Sequence, residues 1–398
     1  MRRVAAIIAV LTAAAACTSS HPGQPPLSTV AGRSSVATST RPADSGTPAA
    51  PSRAAPRTAT VLGSGDVLIH PPLWQQARAD ARAAGRSGYD FGPMYAAIAP
   101  DVRSAGLAIC EMETPLAPPQ GPFVGWPDFS APPQVLTALK GVGYTSCTTA
   151  SNHTLDQGYA GLKRTLDELD AAGLKHTGSA RSPREAATPL IITLPNGVRI
   201  GQLAYSFNFN GHEPAAGQAW EANLTDIPAI LAAAKRIKRA GADIVVLSMH
   251  WGTEYDHLAT EQQKDEARRL LASPDIDLIL GDHAHVVQPA QRIHGKWVFY
   301  CMGNQISRHA DPIAESREGV MPVITFTENA QHRFRVSSAV AIPTWMQDQP
   351  QLRLIDLPRA LAGTSLTAAQ RSEQQAAHAA IVGYLDAYGA RADGLVVR

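Results

Sequence analysis

The sequence lacks an excess of charge of either sign. Thirty-five Lys and Arg face 34 Asp and Glu over 398 residues, a formal net charge of +1. Phosphate binding by a nucleic-acid reader needs a basic face, and no run of basic residues supplies one, so a nucleic-acid partner is not expected. Internal repeats are absent. After Ala16 no apolar stretch reaches the length of a membrane-spanning helix. Cysteine is scarce, with four in the chain. What remains is ordinary for a globular protein: 44% hydrophobic residues, enough to build a large core.

The first residues follow an export pattern. Arg2 and Arg3 precede the apolar, small-residue run Val4–Ala16, and Cys17 follows Ala14-Ala15-Ala16. The pattern matches a secretory signal peptide. Cys17 after three alanines resembles a bacterial lipoprotein processing site, with residues 1–17 as the signal and Cys17 acylated. The alternative is a plain signal peptide cut near Ala16, which leaves Cys17 incidental. Residues 18–57 are dominated by Ser, Thr, Pro, Ala and Gly and lack apolar periodicity, so they read as a flexible tether between membrane and domain. Together these features place the protein on the outer face of the cell membrane, held by a lipid anchor.

From Thr58 the pattern changes. Short, nearly all-apolar runs end on polar residues: Thr58–Ser64 before Gly65-Asp66, Gly106–Cys110 before Glu111-Met112-Glu113, and Tyr144–Ala150 before Ser151-Asn152-His153. Asp243–Met249 runs into His250, and Asp277–Leu280 into Gly281-Asp282-His283. Such runs read as strands buried on both faces. Helical patterns at Pro133–Gly141, Gly161–Ala172, Pro228–Ala240 and Thr260–Leu271 separate them. Asn196-Gly197 and His294-Gly295 mark hairpin turns. The alternation predicts an α/β fold, spanning 58–345, with residues 346–398 as a helical segment.

Ligand sites in α/β sheets gather at the C-terminal ends of strands. Asp66, Glu113, Asn152, His250, His283 and His285 all follow predicted strand ends. Singly each has a bland reading: Gly-Asp is a common turn, Asn152 suits a helix cap, and His250 could be a core histidine. Jointly they form a mixed carboxylate, amide and imidazole set that suits one or two divalent ions such as Mn²⁺, Fe²⁺ or Zn²⁺. Glu254, Tyr255, Asn304 and His70 are candidates to line a substrate cleft. Glu111 reads equally as a support for the site or as a solvated carboxylate. Trp126, Trp220 and Trp251 read as packing residues. Cys110 and Cys147 lie near the ends of two strands joined by one crossover, which predicts a disulfide between them with Cys301 free; three buried thiols are the alternative.

Several longer blocks resemble the CapA family of poly-γ-glutamate capsule proteins. They are Met112-Glu113-Thr114-Pro115-Leu116, Ala150–Gly158, His250–Tyr255, Gly281–Pro289 and Tyr300–Asn304, in that order, within about residues 58–329. The family is similar to the metallophosphoesterases, which implies a four-layer sandwich of two mixed β-sheets flanked by helices. The resemblance implies metal ligands at Asp66, Glu113, Asn152, His250, His283 and His285, with His153 as general acid to a leaving alkoxide. It also implies an anionic envelope polymer or a phosphoester as substrate and a capsule synthesis or export complex as partner, with a non-catalytic scaffold that binds such a polymer as the alternative to a hydrolase. Two positions depart from the metallophosphoesterase pattern. Leu68 stands where a His follows the first Asp, and Glu113 replaces the bridging Asp.

Overall fold

The computed structural model describes residues 55–309 and 313–398. The signal peptide, Cys17 and the tether up to residue 54 lie outside the described residues. Arg57, read as the last tether residue, is already part of the folded body: its Nε and Nη2 donate to the Glu328 carboxylate at 2.9 Å each.

Four parallel strands form one half of the first sheet: β1 (Thr58–Val67), β2 (Leu107–Glu111), β3 (Ser146–Thr148) and β4 (Lys175–Thr177). The chain then builds the second sheet from β5 (Leu190–Thr193), β6 (Arg199–Ser206), β7 (Ile244–His250), β8 (Leu278–Asp282), β9 (Ala290–Ile293) and β10 (Lys296–Phe299). It returns to the first with β11 (Asn304–Ile306), β12 (Glu318–Glu328), β13 (Phe334–Gln347), β14 (Arg353–Asp356) and β15 (Leu395–Val397). The nine-stranded first sheet runs β14-β13-β12-β1-β2-β3-β4, with β11 beside β1 and β15 beside β13; the six-stranded second runs β5-β6-β7-β8-β10-β9. Both mix parallel and antiparallel pairs.

Strand periodicity explains the layers. Alternate residues of a strand face opposite sides, and both sides here are apolar. In β1, Leu62 faces the helices Pro71–Ala83, Val135–Val142 and Gly158–Ala171 through Leu73, Leu139 and Leu166, while Val61 faces the other sheet. In β7, Ile244 and Val246 join that central layer, and Val245 and Leu247 pack on the helices Ile227–Arg239 and Glu261–Ala272. The order is helices, sheet, sheet, helices: a mixed α/β sandwich, as expected. Each fully buried aliphatic side chain contributes about 1.5–3 kcal/mol to holding these layers together.

The helices start where local chemistry says they should. Thr260 caps its helix through the Gln263 amide, and the Gln263 side chain returns the bond to the Thr260 amide. A cap of this kind contributes about 1 kcal/mol. The expected hairpins at Asn196-Gly197 and His294-Gly295 join β5 to β6 and β9 to β10. Residues 346–398, expected to be helical, do contain the helix Ala368–Asp386. They also contribute β14 and β15 to the first sheet, and Ile381 and Leu385 pack into the central core.

Cys110 and Cys147 are register partners on β2 and β3, their Cα atoms 4.4 Å apart, and a disulfide joins them as expected. Cys301 is buried and free. Among the described residues no helix is long and apolar enough to cross a membrane.

Candidate metal centre

The C-terminal ends of β1, β2, β7 and β8 meet where the two sheets face each other. Asp66 reaches this point because its strand can press against β11: the Asp66 amide donates to the Gly303 carbonyl at 3.1 Å. A Cβ on Gly65 would lie 1.7 Å from that carbonyl oxygen, so only glycine permits the approach. Gly281 plays the same part in β8, where a Cβ would lie 1.9 Å from the Tyr300 carbonyl oxygen.

Asp66 is fully buried and accepts from the His283 amide at 3.3 Å and from His285 Nδ1 at 3.0 Å. His285 Nδ1 also lies 3.1 Å from Asn304 Oδ1, and its Nε2 lies 3.7 Å from Glu113. His250 Nε2 sits 2.9 Å from Asn152 Oδ1 and 4.0 Å from Glu113, with Nδ1 3.6 Å from Glu111. Donor atoms of Asp66, Glu111 and His250 lie within 4.8 Å of one another, as do those of Asp66, Glu113 and His285, and those of Glu254, His283 and His285. Asp66 is common to the first two groups. His283 and His285 both hold positive φ, 93° and 56°. Left-handed backbone is costly for a non-glycine residue, and here it turns two imidazoles of one short loop into the same site.

The electrostatics of this cluster need a cation. Both carboxylate oxygens of Glu111 and of Glu113 are buried without a hydrogen-bond partner, as are Asp282 Oδ1, His250 Nδ1 and His283 Nδ1. Burial, then repulsion from Asp66 and Asp282, pushes the Glu111 carboxyl well above the usual range. Burial and Asp66 do the same to Asp282. Glu113 is raised by burial against the pull of His285. Burial and the neighbouring His285 hold His283 down at about 3. His285 goes the other way: burial opposes its charge, yet Glu113 and Asp66 raise it to about 10. Orphaned carboxylates and imidazoles around one point are the donor set of a divalent ion, and its charge would relieve both the repulsion and the desolvation. The residues fit such an ion.

His153 stands beside the cluster rather than in it. Its Nδ1 lies 2.7 Å from Asp156 Oδ2, which also accepts the Phe129 amide at 2.8 Å. The Phe129 ring meets the imidazole edge-on at 4.8 Å between centroids. Asn152 Nδ2 donates to Asn210 Oδ1 at 3.3 Å. The turn holding both residues is set by Ser151, whose hydroxyl donates to the Glu113 carbonyl at 2.7 Å.

The cleft candidates divide. Asn304 is buried and supports His285, donating through Nδ2 to the Ser316 carbonyl at 2.9 Å. Glu254 and Tyr255 are exposed at the rim, with the Tyr255 ring 6.0 Å from His285. His70 is buried, its ring 4.3 Å from His309, and burial lowers it to about 3. It belongs to none of the three donor groups at the centre. Glu111 is not a solvated carboxylate: it is 2% exposed. Trp251 packs in the core, but Trp126 is 76% exposed and packs little, against expectation.

Sequence reasoning passed over Asp282, Asp156 and His309. Asp282 carries the same signal as the others, a carboxylate closing an apolar strand. Asp156 stands three residues after His153 in a block already singled out. His309 follows no strand end of that kind, and no local pattern marks it.

Residues 60–309 match the family model described as bacterial capsule synthesis protein PGA_cap. The chain belongs to this family. Among its relatives, the PGA biosynthesis protein CapA of Bacillus subtilis (strain 168) is 30% identical over 199 residues, 50% of this chain and 51% of the relative. The capsule biosynthesis protein CapA of Bacillus anthracis is 30% identical over 179 residues, 44% of this chain and 43% of the relative. The chain thus matches about half the length of these curated relatives. A solved structure, the calcineurin-like phosphoesterase YfkN from Bacillus subtilis, aligns over 83% of this chain and 99% of its own, at 13% identity and a TM-score of 0.45. That likeness is too distant to carry the chemistry of one site to the other. Within the capsule-synthesis family match fall the whole donor cluster, His153 and Asp156.

Proposed function

We propose that this protein acts in the synthesis, export or anchoring of poly-γ-glutamate or a related anionic envelope polymer, through a divalent-metal centre of hydrolytic type. Membership of a capsule-synthesis family supports the process. The observation that carries the chemistry is the set of buried, unpartnered Glu111 and Glu113 carboxylates facing His250 and His285. Asp66, Glu113, Asn152, His250, His283 and His285 would hold the ion or ions, with Glu111 and Asp282 beside them. A bound divalent ion supplies Lewis-acid charge at this point. The remaining work belongs to the chain. Asp156 holds His153 by Nδ1, which leaves Nε2 to give a proton to a departing oxygen or nitrogen. Asn304 fixes the ring of His285, and the rim residues Glu254 and Tyr255 face incoming substrate.

The His153–Asp156 pair favours one second reading, a metal-dependent phosphoesterase acting on envelope molecules. A screen of the purified protein with Mn²⁺, Fe²⁺ and Zn²⁺, against phosphoesters and γ-glutamyl polymers, separates the two. Polymer cleavage or binding without phosphoester turnover supports the first reading, and phosphoester turnover alone supports the second. Neither, in metal-loaded protein, removes both.

The same proposal places the protein on the outer face of the membrane, anchored through Cys17 and working with a capsule synthesis or export complex. The Met1–Cys17 pattern supports it, and so does the Cys110–Cys147 disulfide, which suits an oxidising compartment. Cys17→Ser should release the protein from membranes or leave it unprocessed. Wild-type protein recovered in the aqueous phase with an unmodified terminus would sink the anchor.

A further inference from the structure

On the outer side of the second sheet, a groove of about 490 Å³ lies between the helix Glu261–Ala272 and β9. Lys264 and Arg268 line it from the helix, Gln291, Arg292 and Ile293 from β9, and Tyr388 from the C-terminal segment. None of its lining residues is Asp or Glu. Both walls start from loops of the metal centre: the helix follows the segment that leaves β7 at His250, and β9 follows the loop of His283 and His285. Gln263 Nε2 donates to Gln288 Oε1 at 2.9 Å and ties the walls together next to that loop.

The lining offers donors to an anion. Tyr300 donates to Gln291 Oε1 at 2.9 Å, which engages the acceptor of that amide and leaves its NH₂ to donate. Arg268 and Arg292 are exposed, and Lys264 is half-buried with its ammonium 5.4 Å from the centre of the Tyr388 ring. Lys264 and Arg268 have carboxylate neighbours on their own helix, Glu261 at 2.7 Å and Asp265 at 3.7 Å. Both carboxylates are exposed, and surface pairs of this kind are weak and readily exchanged. Among the described residues the Arg292 guanidinium has one partner, the Asp393 carbonyl at 3.2 Å. Cations gathered on a groove with no carboxylate in its lining favour an anionic ligand.

We infer that this groove holds a γ-linked glutamate chain by its carboxylates. The inference rests on the polymer reading above and deepens it. Lys264 and Arg268 stand one helical turn apart, about 6 Å along the axis. A γ-linked glutamate repeat has five backbone bonds and spans roughly the same distance when extended, so neighbouring carboxylates can meet neighbouring cations. The methylenes between them find an apolar floor in Tyr388 and Ile293. A chain seated here lies between two elements that both issue from the metal centre. The groove then serves as a hold on polymer outside the centre, and affinity depends on chain length as well as on the reacting group.

Calorimetric titration of the full, Mn²⁺-loaded chain tests this with three probes: a γ-linked glutamate oligomer, the same oligomer amidated at its α-carboxyls, and inorganic tripolyphosphate. The acidic oligomer should bind, and amidation should weaken it roughly tenfold or more, the scale of one lost charge-assisted hydrogen bond. Arg268→Glu with Arg292→Glu should collapse that difference and leave bound Mn²⁺ unchanged; Lys264→Gln is the substitute if the double variant does not fold. Binding of tripolyphosphate alone, lost in the double variant, keeps an anion groove and removes the polymer reading. Binding of the acidic oligomer that neither variant weakens overturns the groove and leaves the polymer reading standing. Binding of no probe overturns both.

Discussion

His153 Nδ1 lies 2.7 Å from Asp156 Oδ2, and the same oxygen accepts the amide of Phe129 from another segment. The imidazole is thus held by a carboxylate that is itself fixed, and the proton on Nδ1 is assigned. Asp156→Asn replaces this acceptor with a side chain that can present an amide donor. The expected outcome is a mixed or reversed His153 tautomer, read from imidazole ¹⁵N shifts, with bound metal unchanged. Turnover of any substrate found should fall, toward the roughly 10²–10⁴-fold loss expected for His153→Ala. An unchanged tautomer in Asp156→Asn would remove the positioning role.

Metal content is the second test. Elemental analysis of protein purified without chelator should show at least one divalent ion per chain. His283→Ala and His285→Ala should lose it. Chelation should lower the melting temperature of the wild type, because a ligand that binds the native state alone stabilises it by about 4 kcal/mol at a thousandfold excess over Kd. Wild-type protein free of first-row metals, and indifferent to their addition, would defeat the centre.

The disulfide closes a loop of 37 residues in sequence separation. Replacing both Cys110 and Cys147 by Ala should cost about 2–4 kcal/mol in denaturant unfolding. Non-reducing peptide maps should recover the two cysteines in one linked species, with Cys301 alkylated only after unfolding. Free alkylation of all three without reductant would contradict the pairing.

Glu318 supplies a pH test away from the donor cluster. Burial, then repulsion from Glu315, raises its carboxyl to about 7, and its Oε2 is buried without a partner. A raised pKa means the folded state holds its proton more tightly than the unfolded one. The stabilisation is therefore complete below the unfolded value near 4.5 and lost as pH rises through about 7. Glu318→Gln should raise the melting temperature at pH 8 by a few degrees and leave it unchanged at pH 4. Equal effects at both values would show that the carboxyl is not titrating as described.

The candidate site was more legible in the sequence than the full sheet arrangement. An apolar strand ending on a carboxylate or imidazole is a local signal, so Asp66, Glu113, His250 and His283 stand out one by one. The helix Pro71–Ala83 carried a signal that went unread, with Leu73, Ala77 and Ala81 on one face behind two prolines. The long pair β12 and β13 was harder. Their burial is irregular, and β13 alternates exposed and half-buried residues before its apolar second half. The place of β15 could not be read at all. Three residues at Leu395–Val397 become a strand only because β13 offers them an edge. His309 was invisible for the same reason: its neighbours His70 and His285 come from elsewhere in the chain.

The donor cluster is divided between the two sheets, its three imidazoles all on the second together with the Asp282 carboxylate. Asp66, Glu111 and Glu113 close strands of the first sheet, while His250, His283 and His285 close strands of the second. The first half brings mutually repelling carboxylates, and the second brings imidazoles that differ sharply, His283 held down at about 3 and His285 raised to about 10 by the first half's Glu113 and Asp66. A divalent ion bound here would tie the two sheets together across the central seam. With that ion in place, sliding one sheet over the other and releasing the ion would become the same event.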